Sequence, residues 1–268
     1  MKVRIVKKDN KLYPVQEDGN NLYLGSSIST INDLYSIGKS IFRDKEEINT
    51  DQFKEVIPVN PSKILCPALN FGAHSRETNQ KVSDFPYFFA KYTNAITGWN
   101  SPIKNHKSIK KLDYEGEIAA IIGKTAYDIA EKDSPNYISG FAVVNDVSAR
   151  DYQAEYAANL GKNWIMAKTA DTFLPVSNSI YLGQEMNFNI ITEVNGETRQ
   201  NGNTDDMIYT FNKMVSYISQ NITLYPGDMI LSGTPEGVAN SGKYPFLKKG
   251  DVVKIRSDKI GYLENRIA

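Results

Sequence analysis

The chain has 268 residues, 41% of them hydrophobic, and its lysines plus arginines equal its aspartates plus glutamates at 31 each. That length suits one large domain, or one domain with a small appendage, around a core that buries roughly 70–75% of the unfolded surface. The charge balance sets up no global field for nucleic acid or a membrane surface, and no apolar run approaches the roughly 20 residues of a membrane span.

The first residues, Met1-Lys2-Val3-Arg4-Ile5-Val6-Lys7-Lys8, lack the apolar stretch of a signal peptide, so a cytoplasmic location is expected. Residues 3–6 alternate like a strand, and Asp18-Gly19-Asn20-Asn21 marks a turn before Leu22-Tyr23-Leu24. Ile28, Ile31, Leu34, Tyr35 and Ile41 fall near helical spacing, with Ser26 or Ser27 as the expected cap. Residues 1–58 therefore read as a small N-terminal α/β unit with no chemistry of its own, set off by Pro58 and Pro61 from residues 59–268.

Residues 63–70 read as a short strand running into a helical turn that carries His74 and, three residues on, Glu77. Positions i and i+3 share a helix face, so Glu77 is placed to hold the His74 ring and raise its basicity, the geometry of a general-base pair. Cys66, in the strand, has no disulfide partner, as expected in a reducing compartment, and reads as a small buried hydrophobe. Residues 85–91 form an aromatic segment with a proline, expected as an edge strand in which Lys91 either packs or faces a pocket. His106 lies in a polar turn and reads as solvated. Two histidines exclude a histidine-rich metal site, but not an all-oxygen one.

Residues 112–123 form the centre of the reading. An isoleucine-rich run closed by Gly123 reads as a buried strand, and Glu115 and Glu117 enter it two residues apart, on one face. Two like charges so placed either lie on a solvated face, pair with lysines such as Lys110 and Lys111, or share a hard divalent cation. Residues 138–146 are again an apolar strand, ending in Asp146, and residues 148–161 read as a helix capped near Ser148 and stopped by Gly161. Asp146 at that junction is either a helix cap or a ligand. Lys168 sits among small and apolar residues, as a surface loop lysine or as a buried cation that needs an anionic partner.

The last third is strand-rich. Residues 187–194 alternate, Asn195-Gly196 is a type I′ hairpin signal, and residues 197–200 return. Thr204-Asp205-Asp206 is expected to cap a helix whose apolar stripe of Met207, Ile208, Phe211, Met214, Val215 and Ile218 faces the core. Gly233-Thr234-Pro235 ends a strand and lacks the Gly-Lys-Ser/Thr of a phosphate loop, though its N–H and hydroxyl suit a ligand carboxylate.

Taken in order, Asn70-Phe71-Gly72-Ala73-His74 with Glu77, Asp113-Tyr114-Glu115-Gly116-Glu117, Asn145-Asp146-Val147-Ser148-Ala149-Arg150-Asp151, Ala167-Lys168 and Leu231-Ser232-Gly233-Thr234-Pro235 resemble the fumarylacetoacetate hydrolase family over residues 60–268. The resemblance implies an α+β, predominantly β fold, a mixed β-roll or β-sandwich with flanking helices, here with the small N-terminal domain, and usually a homodimer. It implies Glu115, Glu117 and Asp146 as ligands of Mg²⁺, with Mn²⁺ or Ca²⁺ as alternatives. His74 and Glu77 match the water-activating pair and Lys168 the active-site lysine. Arg150, Gln153 and the Gly233-Thr234 pair match substrate-contacting positions.

The expected activity is hydrolysis of a C–C bond in acylpyruvate-like 1,3-diketo acids. A 2-oxo acid would chelate the metal, water activated by His74 would attack the second carbonyl, and the departing carbanion would be an enolate held by the metal. The alternative keeps the metal and the enolate without water attack, as in oxaloacetate-type decarboxylation or isomerisation of a 2-hydroxyhepta-2,4-diene-1,7-dioate. A binding protein with an idle site is the non-catalytic reading. The expected partner is a small 2-oxo acid, with no nucleic acid and no membrane.

Overall fold

The computed structural model describes residues 1–44, 46–49, 51–154 and 161–268. Strands dominate a mixed α/β fold. In the largest sheet, of twelve strands, ten follow one another in the order Glu46–Glu47, Asn21–Leu24, Lys11–Asp18, Lys2–Lys8, Leu174–Leu182, Ile138–Asn145, Gly116–Ile122, Met229–Leu231, Ile64–Pro67 and Phe88–Lys91. The N-terminal hairpins join this sheet directly: Lys2–Lys8 runs antiparallel to Leu174–Leu182, with Lys2 opposite Tyr181. A second sheet of four strands, Glu197–Asn203, Asn189–Val194, Val252–Ser257 and Gly261–Arg266, lies against the first. The Ser179 hydroxyl ties the two by donating to the Ile260 carbonyl at 2.7 Å. Among the described residues no helix is long and apolar enough to cross a membrane.

The two central strands explain the sequence pattern. Every residue of Gly116–Ile122 is buried, as is all but one of Ile138–Asn145, because helices or the second sheet cover both faces, and a strand covered on both faces reads as a continuous apolar run. Ile118, Ile121 and Ile122 are wholly buried, each stabilising the fold by about 1.5–3 kcal/mol relative to exposure. Gly116 marks a close approach of the two sheets: a Cβ there would lie 2.2 Å from Thr192 Oγ1. The Asn195-Gly196 hairpin has positive φ at both residues (52° and 82°), as a type I′ turn demands.

Several boundaries differ from expectation. The first helix, Ile31–Ile37, is capped at Thr30 and not at Ser26 or Ser27, since Asp33 Oδ2 reaches back to the Thr30 N–H at 2.8 Å. Thr204–Asp206 forms a 3₁₀ turn of its own, and the following helix, Phe211–Ser219, is capped by Thr210, whose hydroxyl accepts the Lys213 N–H. Met207 and Ile208 thus precede the helix, although Phe211, Met214, Val215 and Ile218 do face the core. Ser148 lies in a two-residue strand against Asp113, and the helix after it, Arg150–Gln153, starts from Ala149. Residues 155–160 of the helix expected over 148–161 lie outside the described residues.

Candidate active site

Strand register builds the site. Gly116–Ile122 pairs antiparallel with Ile138–Asn145, Gly116 opposite Asn145 and Glu117 opposite Val144. The pairing extends one step beyond both strands, where the Asp146 N–H donates to the Glu115 carbonyl at 2.9 Å. Asn145 Oδ1 accepts the Glu115 N–H at 3.0 Å. Glu115, Glu117 and Asp146 therefore meet at one end of the sheet, each with a carboxylate oxygen within 4.8 Å of the others, and all three are buried. The alternatives of a solvated face and of pairing with Lys110 or Lys111 do not describe them.

Three buried cations share this cluster. Lys168, in the helix Trp164–Lys168, places Nζ on Glu115 Oε2 and, at 2.9 Å, on Asp146 Oδ2. Its anionic partners are thus the protein's own carboxylates, not a loop's solvent. Arg150 donates through Nη2 to Glu115 Oε1 at 2.5 Å, through Nε to Asp113 Oδ2 at 2.8 Å and through Nη1 to Gln153 Oε1 at 3.0 Å. Lys91 donates to Asp146 Oδ1 at 2.6 Å and to the Val147 carbonyl at 3.3 Å.

Lys91 is the residue that sequence reasoning undervalued. Its signal was the period of two: Phe89 faces the core, so Lys91, two residues on in the strand Phe88–Lys91, faces the same way. Asp113 had no assigned role, yet it clamps Arg150 and also accepts the Ala239 and Asn240 N–H groups at 2.9 and 3.0 Å.

The charges do not all find partners. Burial opposes ionisation of Glu115, but Arg150 and Lys168 outweigh it and hold this carboxylate well below the usual range. Glu117 is different. Burial, then Asp146 and Glu115, push it well above the usual range, and its polar contact is the Gly233 N–H at 2.9 Å. Among the described residues Glu117 makes no ion pair, although it is only 2% exposed. Burial disfavours the Lys168 ammonium, but Asp146 and Glu115 more than restore it. An all-oxygen set with one carboxylate lacking a cation fits a hard divalent ion, which would hold Glu117 in its charged form.

His74 and Glu77 lie on the short helix Gly72–Glu77, as their spacing implied, with His74 Nδ1 2.8 Å from Glu77 Oε1. The Gly237 N–H reaches both Glu77 oxygens at 3.0 Å, and a Cβ on Gly237 would collide with the Arg199 carbonyl at 1.9 Å. Glu77, so held as an acceptor, favours the tautomer with its proton on Nδ1, which leaves Nε2 as the nitrogen available to a ligand.

One pocket brings together His74, Glu115, Glu117, Arg150, Gln153, Lys168, Gly233 and Thr234. Glu77 stands behind His74, and Asp146 beneath Lys168. Gly233 directs its N–H to Glu117, while Thr234 donates to the Gly116 carbonyl at 3.0 Å and accepts from Gln200 Nε2 at 2.7 Å. Both groups are thus engaged within the protein. His106 sits apart, its ring edge-on to Phe173. Cys66 is fully buried, and burial pushes its thiol well up.

Residues 63–268 match the family profile described as Fumarylacetoacetate (FAA) hydrolase C-terminal. The chain is 38% identical over 212 residues to Oxaloacetate tautomerase Fahd2a, mitochondrial, of Rattus norvegicus, a match covering 77% of this chain and 66% of that one. Its structure is similar, at a TM-score of 0.81 and 28% identity, to 5-carboxymethyl-2-hydroxymuconate delta-isomerase from Mycobacterium smegmatis, over 100% of this chain and 99% of that one. It is also similar, at a TM-score of 0.70 and 27% identity, to fumarylpyruvate hydrolase from Pseudomonas aeruginosa solved with Mn²⁺ and pyruvate, over 81% of this chain and 92% of that one.

Proposed function

The chain belongs to the fumarylacetoacetate hydrolase family, and on that premise we propose that it is a divalent-metal-dependent enzyme that interconverts the keto and enol forms of a small 2-oxo acid. Hydrolysis of a C–C bond stood first on the sequence. Similarity to an oxaloacetate tautomerase and to an isomerase supports the alternative without water attack. The observation that carries the proposal is that His74, backed by Glu77, lines the same pocket as Glu115, Glu117 and Lys168. A proton carrier and a fixed positive charge are what a keto–enol exchange requires.

Glu115, Glu117 and Asp146 would hold the ion, proposed as Mg²⁺, which supplies Lewis acidity to the oxygens of the oxo acid. Lys168 keeps a positive charge at the same end of the pocket, where negative charge develops on the substrate oxygen. Arg150 fixes the Glu115 carboxylate through a charge-assisted bond. His74 Nε2 takes a proton from the carbon beside the oxo group, and Glu77 stabilises the imidazolium that results. The imidazolium then gives that proton to the former oxo oxygen, which returns His74 to its neutral form. One C–H bond is exchanged for one O–H bond, and no carbon–carbon bond breaks.

The test follows ketonisation of enol-oxaloacetate and deuterium exchange at its C3, with Mg²⁺, for the wild type and His74→Ala. Acylpyruvate cleavage and CO₂ release are measured alongside. The proposal expects both proton-transfer signals to be accelerated by the wild type and lost in the variant. Acylpyruvate cleavage without faster exchange would instead favour hydrolysis, the second reading, which similarity to fumarylpyruvate hydrolase supports.

A further inference from the structure

The stretch that carries Glu115 and Glu117 also holds the segment behind His74. Residues 232–238 have no strand or helix of their own, so their path is fixed largely by side chains. The Gly233 N–H lies on Glu117, the Thr234 hydroxyl on the Gly116 carbonyl, and the Ala239 and Asn240 N–H groups on Asp113. Gln200 adds a bond to the Pro235 carbonyl at 2.9 Å. Between these anchors Tyr114, wholly buried, donates its hydroxyl to the Gly237 carbonyl at 2.7 Å. We propose that Tyr114 is a positioning residue for the His74–Glu77 pair, acting through Gly237. For its kinetic consequence the proposal rests on the reading of His74 as the proton carrier.

Gly237 is the contact between this segment and the pair. Its N–H is shared by the two Glu77 oxygens at 3.0 Å, and Glu77 Oε1 lies 2.8 Å from His74 Nδ1. Its φ is 103°, and a Cβ would meet the Arg199 carbonyl at 1.9 Å, so the position takes glycine. Glycine turns about both backbone bonds with little resistance unless its peptide groups are held. The bond from Tyr114 holds the carbonyl of that residue, and so the Cα from which its N–H is presented.

Glu77 needs such a hold. Its side chain is partly exposed, and with Arg199 and Lys243 it lines an outer cavity of about 290 Å³. Water in that cavity and the two cations compete with the His74 ring for the carboxylate. The Gly237 N–H, taken by both oxygens, decides the competition in favour of His74. A Gly237 that turns away frees Glu77 to rotate outward, and Nδ1 loses its acceptor. Tyr114 thus ties the base to the strand end that carries the glutamates, although it is next to Glu115 in the chain and 40 positions from His74.

The experiment compares wild type with Tyr114→Phe, which removes the hydroxyl and keeps the ring. The chain has two histidines, so isotope-labelled histidine gives ring signals that separate readily by NMR, and His106, apart from the site, reports on the fold. Metal-free wild-type protein is expected to show a His74 Nδ1–H signal protected from exchange with water. In Tyr114→Phe it is expected to exchange about tenfold faster, with His106 unchanged. In the keto–enol assay the variant is expected to lose about tenfold in kcat at unchanged KM, within the roughly 10²-fold that an ångström of misplacement costs. In a Glu77→Ala background the same change is expected to remove nothing more, because the link it acts through is gone. An unchanged His74 signal in Tyr114→Phe, or an equal kcat loss with and without Glu77, overturns the proposal. A His106 signal that moves as well would make Tyr114 a packing residue and overturns it likewise. Absence of keto–enol activity in the wild type would sink that reading alone, since the ring signals decide the role of Tyr114 without metal or substrate.

Discussion

The N–H of Asp146 donates to the carbonyl of Glu115 at 2.9 Å, so two carboxylates 31 positions apart in the sequence are neighbours by strand register alone. The third, Glu117, shares their end of the sheet but not their cations. Glu115→Gln is expected to leave Arg150 and Lys168 short of a partner and to destabilise the metal-free protein by about 3 kcal/mol. Glu117→Gln removes a charge that burial already disfavours. Its metal-free melting temperature is expected to equal or exceed that of the wild type. The wild type is expected to melt at a higher temperature in millimolar Mg²⁺ or Mn²⁺, and both variants should lose that rise. A metal-free Glu117→Gln protein that melts well below the wild type would contradict this charge accounting.

Lys91 is fully buried against Asp146. Lys91→Met keeps most of the volume but strips Asp146 of one of its two cations, and a loss of about 3 kcal/mol is expected. Urea unfolding measures it. A midpoint equal to that of the wild type would show that Lys91 has no hold on Asp146.

His74→Ala leaves the three carboxylates untouched. Thermal stabilisation by metal is expected to persist while kcat/KM falls about 10²–10⁴-fold, the usual range for a lost general base. Glu77→Gln should lower kcat/KM by less, since Nε2 remains in place. If metal stabilisation disappears with His74, the residue serves the ion and not the proton.

Cys66 is buried, and its thiol is pushed up chiefly by that burial. Ellman's reagent is expected to modify it only after unfolding. The sign for stability follows. The unfolded thiol ionises above about pH 8.5 while the native one keeps its proton, so native stability falls as pH rises past that value, by about 1.4 kcal/mol per pH unit. Cys66→Ala should lose less stability than the wild type between pH 8 and pH 10, read from urea midpoints. Equal losses would mean that the thiol ionises alike in both states.

Gly116 stands between the two glutamates with Thr192 Oγ1 and the Gln200 amide against it. Gly116→Ala is expected to separate the sheets locally, costing about 1–3 kcal/mol as overpacking does, and to weaken metal binding more than the same change at Gly196, where nothing lies within 4 Å. Equal effects on metal binding at the two sites would detach the sheet contact from the site.

The sequence by itself determined the periodic features. Glu115 and Glu117 share a face because a strand repeats every two residues, and His74 meets Glu77 because a helix brings i and i+3 together. The apolar runs around them announced buried strands, and Asn195-Gly196 announced its hairpin. These are short-range consequences of backbone geometry, readable within a few residues. Helix starts were less legible, because several capping residues stood in line and tertiary position chose among them, as at Thr30 and Thr210. The tertiary structure alone decided what each charge faces. It set Lys91 and Lys168 on Asp146, Arg150 between Asp113 and Glu115, and the Gly233 N–H on Glu117. A charge buried where water cannot screen it is governed by whichever charges surround it, and those come from segments that only folding brings together.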